Sequence, residues 1–378
     1  MAKPAKVLFI SAPVGAGHVR AAAAINQALN KLRPDTATSI VNVFDFFSQF
    51  WGQALLKAYL QCLRFFPGSY GKMYGWGNTS RLALWGREAV SAFFAGRMLH
   101  YIELTSPALI VCTHATPAGL VAYLKKHHKI NIPAIAVVTD FVVHRLWIYP
   151  EIDCYFVANE ELLAELERFH ITPAQSHVAG IPIDSAFSQP PARDQLMGRL
   201  GLCAAKKTIL MMGGGAGILP MQEIALALNR LAAAIQVIVV TGQNDKLHKD
   251  LENIKPKLTF DLKITGFVDN VAELMAVADV LISKPGGMTA AEALSSRLPL
   301  IIYRPIPGQE EGNSKFLLAR RVAMRAESVE DLLALLHELF TDGNDTLAVM
   351  RKNTVRIARP EAAREIAATI TARYLSGD

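Results

Sequence analysis

Residues 7–29 read VLFISAPVGAGHVRAAAAINQAL, an apolar run, a glycine turn closing on His18, and an alanine-rich stretch of helical character. A glycine turn at such a junction brings backbone N–H groups up to an anion at the positive end of the helix. A P-loop would end in Gly-Lys-Ser/Thr, whereas this turn reads Gly17-His18-Val19. The dinucleotide fingerprint needs a small third residue where Arg20 stands. What remains is an imidazole at a helix N-terminus, where a neutral His accepts a proton from a group bound above the sheet. The competing reading is a His that caps the helix or satisfies a local polar contact.

Two later turns carry further chemistry. In TILMMGGGAGILP, Gly213, Gly214, Gly215 and Gly217 follow a strand pattern, and Pro220 opens a helix at a position where its missing N–H has no helical partner. These glycines either free the backbone to cradle a diphosphate or make a tight turn. In LISKPGGMTAAEALSSRLPLIIYRPIPGQEEGN, Thr289 and Glu292 have capping-box spacing. Glu292 alternatively accepts both ribose hydroxyls of a nucleotide. Gln309, Glu310 and Asn313, at the end of the next strand pattern, form a polar cluster suited to sugar hydroxyls. Asp140, His144 and Trp147 in TDFVVHRLW follow a strand end in the first half of the chain.

The elements behind these turns are short aliphatic and β-branched runs alternating with longer helical patterns, which indicates βαβ units and parallel sheets. KVLFISA, TSIVNVF, ALIVCT, AIAVVTD and CYFVAN form one series, and KTILMMG, QVIVVTG, KITGF, DVLISK and PLIIYR form the second. A Pro-containing linker joins them. The expected architecture is α/β, two Rossmann-like domains facing across a cleft at the carboxyl ends of their strands. The boundaries expected are 1–185 for an N-terminal Rossmann-like domain and 186–358 for a C-terminal one. Residues 359–378 should form a helix returning to the first domain.

Composition narrows the class. The chain has 378 residues, 51% of them apolar, and a mean hydropathy of +0.24. No uninterrupted apolar run reaches the roughly 18 residues of a membrane span. The start enters a glycine turn directly, as a first buried strand does, so no signal peptide is expected. The four cysteines lie far apart in sequence, which indicates neither a disulfide framework nor a zinc site and fits a reducing cytoplasm. A net charge of +6 favours an anionic partner. With no basic block or nucleic-acid motif, no nucleic-acid partner is expected. Residues 44–101 combine Trp51, Trp76 and Trp85 with Lys57, Arg64, Lys72, Arg81, Arg87 and Arg97, against only Asp45 and Glu88. That mixture suits an anionic membrane surface or, equally, core-packing helices with solvated basic residues.

Taken in order, the GAGH turn, TDFVVHRLW, TGFVDNVAELMAVADVLIS, KPGGMTAAEA and PIPGQEEGN resemble the diacylglycerol glycosyltransferases. Those are the bacterial processive glucosyltransferases and the monogalactosyldiacylglycerol synthases, relatives of MurG. The similarity runs over residues 7–316. It implies a GT-B fold, an inverting mechanism, a UDP-sugar donor (UDP-glucose or UDP-galactose) and a lipid acceptor, with the protein peripheral on the cytoplasmic face of the membrane. By position it implies that Glu292 holds the ribose and that the backbone around Phe267 reads the uracil. Gly214, Gly215, Lys284, Gly286, Gly287 and Thr289 would line the diphosphate side, and Gln309, Glu310 and Asn313 would address the sugar and a nearby phosphate. His18, beside Gly17, becomes the acceptor base or an acceptor-site group. Asp140, His144 and Trp147 would line the acceptor side, orient the His18 loop or touch the lipid headgroup. Independently of the resemblance, the membrane reading of residues 44–101 puts Trp51, Lys57, Arg64, Lys72 and Trp76 at the membrane.

The opening turn is poorer in glycine than in many relatives, so donor geometry carries over more directly than acceptor geometry. No Asp-x-Asp motif is present, and no obligatory metal or other cofactor is expected. The expected reaction moves a hexose to diacylglycerol or a glycosyl-diacylglycerol. The alternatives are a MurG-like transferase acting on a polyprenyl-diphosphate sugar, a UDP-sugar 2-epimerase, and a non-catalytic lipid or nucleotide sensor.

Overall fold

The computed structural model describes residues 5–13, 16–47, 81–213, 219–231, 233–341 and 343–375. The chain forms two compact units. One is Met1–Ser185 with Pro307–Gln309 and Pro360–Asp378, the other Ala186–Ile306 with Glu310–Arg359.

The first unit is built on β1 (Lys6–Ser11), β2 (Ala37–Asn42), β3 (Leu109–Cys112), β4 (Ala134–Val137), β5 (Cys154–Val157) and β6 (Ser176–Val178). All pairings are parallel, in the order β2-β1-β3-β4-β5-β6. Strands β3, β4 and β5 are buried along their whole length, because a parallel sheet covered on both faces needs continuous apolar runs rather than alternation. Helices α1 (Gly17–Leu32), α2 (Arg81–Thr105), α3 (Ala115–Lys126) and α4 (Glu161–Glu167) accompany them.

The second unit repeats the plan with β7 (Lys207–Met212), β8 (Ile235–Val240), β9 (Asp261–Thr265), β10 (Val280–Ser283), β11 (Leu300–Tyr303) and β12 (Ala323–Ala326). The order is β12-β11-β10-β7-β8-β9. Its helices are α5 (Arg193–Leu200), α6 (Met221–Leu228), α7 (Asp245–Ile254), α8 (Val271–Val277), α9 (Gly287–Ser295), α10 (Gln309–Ala319), α11 (Val329–Phe340) and α12 (Thr346–Ile357). The last helix, α13 (Ala362–Tyr374), belongs to the first unit. Its Ile366, Ala367 and Ile370 share a core with Ala22, Ile25 and Leu29 of α1.

In each sheet the chain grows outward from a central pair, β1 and β3 in the first and β7 and β10 in the second. Such a reversal of direction splays the following loops apart and leaves a crevice at the carboxyl ends of the two strands. Gly17 after β1, Gly213 after β7 and Gly286 after β10 stand at these points. All ten strands expected from sequence form. The short edge strands β6 and β12 form in addition.

At the opposite end of β10, the buried Asp279 holds the second sheet to its helices. It accepts from the Thr208 backbone N–H (2.8 Å), Arg351 Nη2 (2.8 Å) and Arg193 Nη2 (3.3 Å). Asp279→Ala removes the acceptor of the Thr208 N–H and the carboxylate facing two guanidinium groups, which keep only the backbone carbonyls of residues 277 and 279. Removing one partner of a buried charge cluster costs about 3–5 kcal/mol; about 2–4 kcal/mol is expected because both arginines keep some water contact. Differential scanning calorimetry should show the second unit's transition lowered by about 10 °C, and Asp279→Asn, which keeps an acceptor for Thr208, lowered by less.

Candidate active site

The first unit's part of the candidate site begins where β1 gives way to α1. The helix starts at Gly17 with Ala16 at the cap position and no side-chain cap, so His18 does not serve as the cap. Its ring instead reaches across to the next strands. Nδ1 lies 3.0 Å from the Thr113 carbonyl oxygen and 2.8 Å from Thr139 Oγ1. The Thr113 hydroxyl in turn donates to the His18 carbonyl at 3.0 Å.

A carbonyl only accepts, so Nδ1 carries the hydrogen, the Thr139 hydroxyl is a second acceptor, and Nε2 keeps its lone pair. Burial pushes the His18 pKa down to about 4, with the Thr113 hydrogen bond working in the opposite direction. The ring is therefore neutral at pH 7, with a proton-accepting nitrogen at the switch point.

Two other histidines nearby are locked the other way. His114 Nδ1 accepts from the Thr116 N–H at 3.1 Å, capping α3, and His144 Nδ1 accepts from the Leu146 N–H at 3.1 Å. Both therefore carry the hydrogen on Nε2. The sequence reading included His144 but missed His114, whose one signal was its position just beyond the end of the apolar run ALIVCT. His114 stands edge-on to His18, ring centroids 4.6 Å apart at 84°, and 6.3 Å from the buried Trp147.

The loop after β4 is pinned by the Tyr155 hydroxyl, which accepts from the Tyr149 N–H (2.8 Å) and faces the Trp147 and Tyr149 carbonyls (3.1 and 2.9 Å). It lies so close to α3 at Gly119 that any side chain there would collide with the Tyr149 phenol. Asp140 is buried in this loop and accepts a hydrogen bond from the Gln309 amide.

The second unit's part of the candidate site is built on β7, β10 and β11. Gly213 ends β7; Gly214 and Gly215 lie outside the described residues. After β10 come Lys284, Pro285 and Gly286, and Gly286 is the cap residue of α9 with extended backbone (φ −63°, ψ 140°). A Cβ on Gly286 would meet no atom within 4 Å, so the space beside this helix N-terminus is open. Gly287 is buried and Thr289 half-buried in the first turn.

The capping-box reading fails here. The helix begins at Gly287, which puts Thr289 inside it and Glu292 in its second turn. Glu292 is fully buried, and a nucleotide reaches its carboxylate only after the groups enclosing it move. Pro220 likewise stands at the cap of α6 rather than at its first residue.

Gln309, Glu310 and Asn313 do not sit at a strand end, because Gly308, with φ +109°, turns the chain straight into α10. Asn313, buried, donates to the Pro285 carbonyl at 3.0 Å and fastens α10 to the glycine turn. Lys284 donates to the Arg304 carbonyl. Its pKa is lowered by burial and raised by the nearby Glu310, while burial raises the Glu310 carboxyl despite its 2.8 Å hydrogen bond from the Ile306 N–H. Beyond β9, Phe267 is 69% exposed.

Trp51, Lys57, Arg64, Lys72 and Trp76 lie outside the described residues. Of the same stretch, α2 buries Ala95 and Met98 and leaves Phe93 exposed. Among the described residues no helix is long and apolar enough to cross a membrane.

Residues 18–183 match the monogalactosyldiacylglycerol synthase family model, and residues 208–366 match the C-terminal domain of glycosyltransferase family 28. The chain is 31% identical to a processive diacylglycerol beta-glucosyltransferase of Bacillus cereus (strain AH187), over 98% of this chain and 95% of that protein. Among solved structures, MurG of Acinetobacter baumannii superposes with a TM-score of 0.66 at 16% identity, covering 98% of this chain and all of that one. MnaA of S. aureus, solved with UDP, gives 0.64 at 13% identity, with 98% and 97% covered. The fold is that of the GT-B glycosyltransferases.

Proposed function

Because the chain belongs to the diacylglycerol glycosyltransferase family, we propose that it moves a hexose, glucose or galactose, from a UDP-sugar to diacylglycerol or a glycosyl-diacylglycerol with inversion at the anomeric carbon. The observation that carries the reading is His18. Its Nδ1–H is committed to the Thr113 carbonyl, so Nε2 is left to take a proton. The lipid O–H gives its proton to Nε2, the oxygen attacks the anomeric carbon in line, and the bond to UDP breaks with its electron pair leaving on the diphosphate. The resulting imidazolium keeps its Nδ1–H on Thr113.

Charge on the leaving group is met by the open N-terminus of α9 at Gly286 and by Lys284, with no resident metal in the scheme. Glu292 holds the ribose once the groups enclosing its carboxylate move, and the backbone around Phe267 reads the uracil edge. UDP as carrier is supported by the family and by the UDP bound to MnaA. Glucose is supported by the named activity of the Bacillus relative. The basic, aromatic stretch of residues 44–101 holds the protein on an anionic membrane face.

Four measurements test this reading. With UDP-glucose or UDP-galactose and diacylglycerol in anionic vesicles, His18→Ala should lose about 10²–10⁴ in rate while UDP affinity stays near the parent's. The parent's rate should fall as pH drops through about 4, where His18 takes up its proton. Turnover of His18→Ala within threefold of the parent, or activity lost already near pH 6.5, would remove the base.

Glu292→Gln should weaken UDP binding by about 1.5–3 kcal/mol, since an amide cannot accept from two hydroxyls as a carboxylate does. Isothermal titration calorimetry reads it, and unchanged affinity contradicts the ribose contact. Replacing Lys57, Arg64 and Lys72 by Gln should reduce sedimentation with anionic vesicles, most at low salt, at about 1 kcal/mol per charge. Equal binding to zwitterionic and anionic vesicles contradicts the membrane role.

A further inference from the structure

We propose that His114 is a positioning residue for His18: pinned as the cap of α3, its ring is the wall against which the His18 imidazole stands, holding Nε2 toward the acceptor hydroxyl and keeping water from that face. The inference rests on His18 being the base.

Three contacts carry it. The His114 ring cannot rotate freely, because its Nδ1 accepts the Thr116 N–H at 3.1 Å. The preceding residue, Thr113, grips His18 twice, by its carbonyl at Nδ1 and by its hydroxyl at the His18 carbonyl, both at 3.0 Å. With Nδ1 fixed, the one remaining freedom is a swing of the ring about that bond, and His114, 4.6 Å away and nearly perpendicular, blocks it on one side. Trp147, 6.3 Å from His114, backs the wall in turn. A displacement of about 1 Å in a reacting group costs about 10²-fold in rate, so a wall of this kind matters to the chemistry as well as to packing.

The groups around the two rings come from several elements. The β3–α3 junction supplies Thr113 and His114, the end of β4 supplies Thr139 and then Asp140, and the loop beyond supplies His144 and Trp147. Asp140 is engaged by Gln309, and His144 caps its own short turn. Arg20, on α1 itself, is exposed. Burial and the Thr113 carbonyl govern His18, whereas burial and the charge of His18 govern His114. Removing the His114 ring therefore acts on His18 by admitting water, which lets its pKa rise from about 4 toward the ordinary 6.5.

His114→Asn separates this role from simple capping, because Asn is a favourable cap and its side-chain oxygen can still accept from the Thr116 N–H. The test is the pH dependence of kcat for UDP-glucose and diacylglycerol in anionic vesicles, with melting temperature measured in parallel. The expected result is a melting temperature near the parent's, kcat at neutral pH lowered about 10–100-fold, and an acid limb moved upward from about 4. An acid limb that stays at the parent's position in His114→Asn overturns the inference, whatever the rate. His18→Ala measured alongside separates the two failures. Parent-like turnover there overturns the base and its positioner together. An inactive His18→Ala with an unmoved limb in His114→Asn overturns the positioner alone.

Discussion

The hydrogen bond from His18 Nδ1–H to the Thr113 carbonyl, 3.0 Å long, joins the first turn of α1 to the end of β3 and decides the tautomer of His18. A carbonyl oxygen has no hydrogen to offer, so the bond admits only one tautomer, and the lone pair must then sit on Nε2. Burial keeps that tautomer neutral by disfavouring the imidazolium. His114 and His144, bonded through Nδ1 to backbone N–H groups, are forced into the other tautomer. His18 thus keeps an acceptor lone pair on Nε2, whereas His114 and His144 use theirs, on Nδ1, to accept from backbone N–H groups.

That bond exists because of topology. Strands β1 and β3 are neighbours in space although the chain visits β2 between them, and the loops following the two strands diverge at their carboxyl ends. The second sheet makes the same arrangement from β7 and β10. There it produces an open helix N-terminus at Gly286 instead of a base, tied by Asn313 to α10. One architectural device used twice therefore yields a histidine with an acceptor nitrogen in one unit and an open helix N-terminus in the other.

Much of this was legible in the residues because buried parallel strands must be continuous apolar runs, and the turns that follow β1, β7 and β10 in the sequence are punctuated by glycine. Strands β6 and β12 were not, since a three-residue SHV and a four-residue AMRA at sheet edges carry too little apolar pattern to stand out. The spacing of Thr289 and Glu292 suggested a capping box, but Gly286 adopts an extended conformation and starts the helix earlier than that pattern allowed. His114 escaped notice because its partners are a backbone N–H two residues on and a ring 96 positions earlier in the chain, a contact that only the β1–β3 pairing creates. Residues 48–80, which hold most of the aromatic and basic stretch, lie outside the described structure.

The tautomer of His18 is the claim on which the rest turns, and ¹⁵N NMR of the histidine side chains reads it directly. With His18 resonances assigned by comparison to His18→Ala, Nε2 should show the shift of an unprotonated imidazole nitrogen at neutral pH and Nδ1 that of an N–H. The pair should titrate only near pH 4, following the lowered pKa of the buried ring. A protonated Nε2 at neutral pH, or a titration midpoint near the ordinary 6.5, would contradict it.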